Sequence, residues 1–72
     1  MNPGQLVKMA NQIEAFFRSE PDEEVAVGAI ENHLRRIWAP RMRRAIVAHV
    51  ELGAPDLGDL ATRAVRRRAA RG

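Results

Sequence analysis

The reading turns on "HLRRIWAPRMRR", residues 33–44, which gathers five arginines, the only tryptophan and a proline into twelve positions. Pro40 governs the backbone there. Its ring disfavours helical geometry for Ala39, and proline suits the first position of a new helix. The stretch is therefore a corner, with one helix ending at Trp38 and another starting at Pro40. Upstream, Val27, Ile30, Leu34, Ile37 and Trp38 recur at helical spacing with Ala26 beside them. Arg35 and Arg36 fall at the helix end whose dipole favours cations. Downstream, Met42, Ala45, Ile46, His49 and Val50 form the next stripe, closed by Gly53, which suits the left-handed turn that ends many helices.

Working outward, Asn2 can cap a first helix, Pro3 fits its first position, and Gln5 can reach back in a capping box. Leu6, Met9, Ala10, Ile13, Phe16 and Phe17 then form its apolar stripe, with Glu14 and Arg18 four apart in the favourable order. "SEPDEE" (residues 19–24) is the break. Pro21 restricts Glu20, Ser19 or Asp22 can cap, and the acids at 22–24 complement the positive end of a helix dipole. Past Gly53, Pro55 and Asp56 open a fourth segment with Leu57, Leu60, Ala61, Ala64 and Val65 on one face. Its end, "RAVRRRAARG", is so charged that fraying is expected unless a partner holds it. The alternation in "VAVGAI" is too brief to argue for a strand. The expectation is a single all-α domain, a small bundle of three to four short helices at about 3–19, 22–38, 40–52 and 56–69, the fourth weaker than the others.

A 72-residue chain hides only about 60% of the surface its unfolded form exposes, so its own core is marginal. No cysteine is present to staple it or to bind a metal as thiolate. Burial against a partner, or against a second copy of the chain in isolation, is the remaining route to stability. Charge is divided unevenly. Residues 1–32 carry two basic side chains against six acidic ones, a balance of −4, and residues 33–72 carry ten against three, a balance of +7. Such asymmetry points to a charged partner, nucleic acid or an acidic protein surface. No apolar run approaches the roughly 20 residues of a membrane span, and the N-terminus lacks the pattern of a secretory signal, so a cytoplasmic location is expected.

Catalysis finds little to work with. The only serine, Ser19, sits at a helix boundary, and His33 and His49 lie on different helices outside any metal-ligand motif. Asp22, Glu23 and Glu24 read as a solvated helix start, and the glycines are too isolated for a phosphate loop. Nucleic-acid binding is the rival reading. Ten arginines in the second half could neutralise phosphates. However, the acidic half would repel the same polyanion, and all three aromatics fall on apolar stripes where they cannot stack on bases. A docking module fits better, because Trp, Met and Arg are the types enriched at interface centres and residues 33–44 supply all three.

Two blocks carry a family resemblance. "LVKMANQIEAFFRS" (residues 6–19) and "HLRRIWAPRMRRAIVAH" (residues 33–49) resemble the delta subunit of soluble, NAD-dependent, molybdenum-containing formate dehydrogenases. The specific elements are "KMANQI" with the double phenylalanine, then W-x-P-R-M-R some twenty residues later. The family usually has an aromatic before the tryptophan and an acid before the proline, where this chain has Ile37 and Ala39. The lost acid removes a cap worth about 1 kcal/mol from the third helix. The resemblance implies a non-catalytic accessory subunit with no cofactor of its own, supporting assembly, maturation or stability. Its partners would be the larger formate dehydrogenase subunits, which carry molybdopterin, iron–sulfur clusters, FMN and the NAD site. By position, the residues expected to meet a partner are Lys8, Met9, Asn11, Gln12, Phe16 and Phe17, then Arg35, Trp38, Pro40, Arg41, Met42 and Arg43. For Asn11 and Gln12, plain surface polarity is the competing reading. For Trp38 and Met42, it is a place in the chain's own core.

Overall fold

The first three helices begin at local signals in the sequence. The computed structural model describes residues 2–71 and contains four helices and, among those residues, no strand. Helix α1 spans Pro3–Phe17, with extended Asn2 accepting the Gln5 backbone N–H on its side-chain oxygen at 3.1 Å. Helix α2 spans Glu23–Ile37, and the Asp22 carboxylate caps it by accepting from the Glu24 N–H at 3.0 Å. Helix α3 spans Pro40–Glu51 without any side-chain cap, since Ala39 has none to offer. The fixed φ of Pro40 and the missing proline N–H are sufficient to start it. Gly53 follows with φ at 81°, the left-handed geometry expected of a residue that closes a helix.

The last element differs from expectation. Helix α4 spans Asp59–Ala70, starting three residues after the anticipated position at Asp56. Residues 55–58 form a turn instead, and Leu57 drops from it into the core. The arginine-rich end is helical through Ala70, and α4 packs against α2 more extensively than any other pair of helices does. Ala61 and Ala64 of α4 are fully buried.

Around this contact the core closes with Leu6 and Ala10 from α1, Val27, Ile30 and Leu34 from α2, Ile46 and Val50 from α3, and Val65 from α4. The radius of gyration is 10.9 Å, close to the roughly 11 Å expected for a chain of this length. Charges complete the α2–α4 seam. Arg63 pairs with Glu23 and Glu24, Arg67 with Glu24 and Glu31, and Arg71 with Glu31. Much of the acidic first half is thus answered by the basic second half within the chain. The charge asymmetry read as a sign of an external partner is partly an internal complement.

Candidate functional site

Two residues on the predicted core stripes are not in the core. Phe16 is 77% exposed and Ile37 68% exposed, although α1 and α2 otherwise bury their apolar faces. They flank one open groove of about 640 Å³. Helix α1 supplies Met9, Gln12, Ile13, Phe16 and Phe17 along one wall. His33 and Ile37, from the end of α2, form the other, and Met42 of α3 closes it. The two sequence blocks, separated by residues 20–32, therefore meet on a single surface. Phe16 and Phe17 stand edge to face with ring centroids 5.0 Å apart, a geometry aromatic pairs favour.

Trp38 forms the floor. It is only 4% exposed and belongs to the core cluster with Leu34 and Ile46. It is thus both a core residue and part of the groove lining. Met42 is half-buried beside it, and Pro40 and Arg41 are exposed at the first turn of α3. Lys8 is exposed one turn before Gln12 on α1, and Arg35 is exposed at the end of α2, donating to the Asn32 side chain at 2.8 Å.

Arg43 and Asn11 have partners inside the chain. The Arg43 guanidinium donates from Nη1 to the carbonyls of Trp38 at 2.6 Å, Arg35 at 3.0 Å and Leu34 at 3.4 Å. These include carbonyls that the end of α2 leaves without a helical partner, so Arg43 locks the corner that shapes the groove. Asn11 reaches the α3–α4 turn, where its amide donates to the Asp56 carbonyl at 2.9 Å and accepts from the Gly58 N–H at 2.8 Å. Its side chain is thus tied to the turn within the chain.

The neighbouring Glu14 has a role that the sequence did not disclose. It is 2% exposed, and its Oε1 accepts the Ala61 N–H at 2.8 Å while its Oε2 pairs with Arg18. Ala61 lies three residues past Gly58, the N-cap of α4, which has no side chain to offer. A carboxylate from α1 therefore caps α4 from across the bundle. A Cβ at Gly58 would overlap that carboxylate, so glycine is what the geometry admits. The only signal in the sequence was a missing one: no Ser, Thr, Asp or Asn stands at position 58. Elsewhere, His49 Nε2 lies 3.5 Å from Asp56. Among the described residues no three His, Asp or Glu side chains converge as a metal site requires.

A model of the NADH-dependent formate dehydrogenase delta subunit family, FdsD, matches residues 5–65. The chain belongs to this family. No curated protein and no solved structure matches it. The delta-subunit match runs beyond the two quoted blocks, through the α3–α4 turn and the first half of α4. It therefore takes in Asn11, Glu14, Gly58 and Ala61, which fix α4 to α1, together with every residue lining the groove. The blocks chosen from the sequence ended at His49 and left the turn out. No helix of the described chain is long and apolar enough to cross a membrane.

Proposed function

We propose that this delta subunit is a non-catalytic docking subunit, which binds a larger subunit of the formate dehydrogenase complex through the groove between α1, α2 and α3. By that contact it supports assembly, maturation or stability of the complex. Molybdopterin, iron–sulfur clusters, FMN and the NAD site belong, on this reading, to the larger subunits. One observation carries it: Phe16 and Ile37 lie open to solvent on facing walls of a groove floored by Trp38. Exposing two large apolar side chains side by side has a free-energy cost in water that a partner surface would remove. Aromatic and methionine side chains around a pocket are also the composition of interface hot spots.

The test is co-purification of the larger subunits with the variant Phe16→Ser/Ile37→Ser. The expected result is loss of the delta subunit from the complex, while the isolated chain keeps its helical circular dichroism because both positions are already solvated. Trp38→Ala is unsuitable for the purpose, since it would remove a core residue and cost about 3–5 kcal/mol of stability. Normal assembly of the double serine variant would remove the groove from consideration.

A further inference from the structure

The groove's surroundings have a definite sign. None of its lining residues is a carboxylate. The only acid of α1, Glu14, is buried against α4, and Glu20 and Glu23 line the cleft on that same far side. Glu24 and Glu31 face the α4 arginines, Asp22 caps α2, Glu51 lies between α3 and α4, and Asp56 and Asp59 sit in and beside the α3–α4 turn. The cations next to groove residues along the chain include, by contrast, Lys8, Arg36 and Arg41. All three are exposed, and none has an ion-pair or hydrogen-bond partner among the described residues. Lys8 precedes Gln12 by one turn, Arg36 lines the extension of the groove past Phe17 and Ile37, and Arg41 adjoins Met42.

Shape adds a second constraint. Along α1 the groove wall repeats as Met9, Ile13 and Phe16, the i, i+4, i+7 spacing of one helix face. That wall is about 12 Å long at the α-helical rise, enough for two turns of an occupant. An apolar trough with spaced ridges is the form that accepts an amphipathic helix.

We infer that the occupant is an acidic amphipathic helix of a larger subunit, with about two turns of apolar anchors in the trough and carboxylates on its flanks facing Lys8, Arg36 and Arg41. This rests on the docking reading above and goes further in naming what docks. A second copy of the chain is disfavoured by the same charges, because two cationic rims would face each other across a two-fold contact. Polynucleotide would meet the rim charges but leave the apolar trough unfilled.

The experiment titrates fluorescently labelled delta subunit into formate dehydrogenase purified without it, at low and at high salt, for three chains. These are the natural chain, Lys8→Glu/Arg36→Glu/Arg41→Glu, and Phe16→Ser/Ile37→Ser. All five positions are exposed, and helical circular dichroism confirms that each variant is folded. A photo-crosslinking residue at position 16 then identifies the contacted segment by mass spectrometry. The expected result is affinity at least about tenfold weaker for the charge-reversal variant, weaker binding of the natural chain at high salt, and a crosslink to an acidic, helically patterned peptide. If charge reversal and salt change nothing while the serine variant fails to bind, the groove docks something other than an acidic helix and the inference is overturned alone. If neither variant loses affinity, the docking reading falls and takes the inference with it. A crosslink to a second copy of this chain, or to a basic or uncharged segment, also overturns the inference.

Discussion

At the scale of single residues, Glu14 fixes the start of α4 by accepting the Ala61 N–H beside Gly58. Glu14→Ala strands the Ala61 N–H at the start of α4 and should cost about 1–3 kcal/mol. For a domain of this size each kcal/mol lowers the melting temperature by about 4–8 °C, so the loss is easily read by thermal denaturation. Gly58→Ala should be comparably damaging, because its methyl group would occupy the space of the carboxylate. The two losses must not add. With Glu14 already truncated the methyl group has room, so Gly58→Ala in that background should cost under about 1 kcal/mol. Additive losses would mean that the carboxylate does not sit where the geometry places it. Position 14 shows what the sequence conceals. Its i,i+4 pairing with Arg18 was legible from spacing and is present. Its contact with Ala61, 47 positions away, depends on how α1 and α4 cross, which no local pattern encodes. Arg43 is similar: a cation near a helix corner was visible, but not that its guanidinium would bond three carbonyls. Arg43→Lys, a single point charge in place of a planar fork, should lose about 1 kcal/mol or more in urea unfolding.

At the scale of helices, local signals were strong and tertiary ones silent. Asn2, Asp22, Pro40 and Gly53 mark helix ends through backbone chemistry, and the structure uses each of them. The start of α4 was misplaced because Pro55–Asp56 resembles a helix start, whereas Asn11 binds the following turn and holds it open. Fraying of the last turns was expected because the ten residues of "RAVRRRAARG" look self-repelling in isolation. Beside α2 they are counter-charges. The seam is unequal along its length, since Glu23 and Glu24 are largely exposed and Glu31 is buried. Exposed pairs contribute at most about 1 kcal/mol each and weaken with salt, whereas at the Glu31 end the gain from pairing is set against the desolvation of a buried carboxylate. Arg67→Glu would place an anion beside Glu24 and Glu31 and should destabilise by about 2 kcal/mol or more in urea unfolding. Glu31→Met removes the buried charge and fills the same volume, leaving its arginine partners free to hydrate. It should be neutral or mildly stabilising. Equal losses from the two changes would show that the seam is held by something other than ion pairing.

At the scale of the whole molecule, a small bundle buries a full core yet leaves one apolar groove open beside it. The amphipathic stripes of α1 and α2 are wider than the core needs, and periodicity alone cannot separate the part of a stripe that meets a neighbouring helix from the part that meets solvent. Phe16, Phe17 and Ile37 fall on those stripes by pattern, and only the crossing of α1 over the α2–α3 corner reveals that Phe16 and Ile37 stand outside the core. The consequence is a testable separation of folding from binding. In isolation, the chain should bind an apolar dye such as ANS, and Phe16→Ser/Ile37→Ser should reduce that binding without lowering the urea midpoint, since neither side chain loses burial. Trp38, the sole tryptophan and 4% exposed, should keep the same emission in both chains because its packing against Leu34 and Ile46 is untouched. Adding delta-depleted formate dehydrogenase should then stabilise the natural chain by mass action, by about 2.7 kcal/mol when the partner is at a hundred times its dissociation constant. The serine variant should gain nothing. A variant that lost stability together with dye binding would put Phe16 and Ile37 back in the core, and the groove would then be a structural seam rather than a surface kept open for a partner.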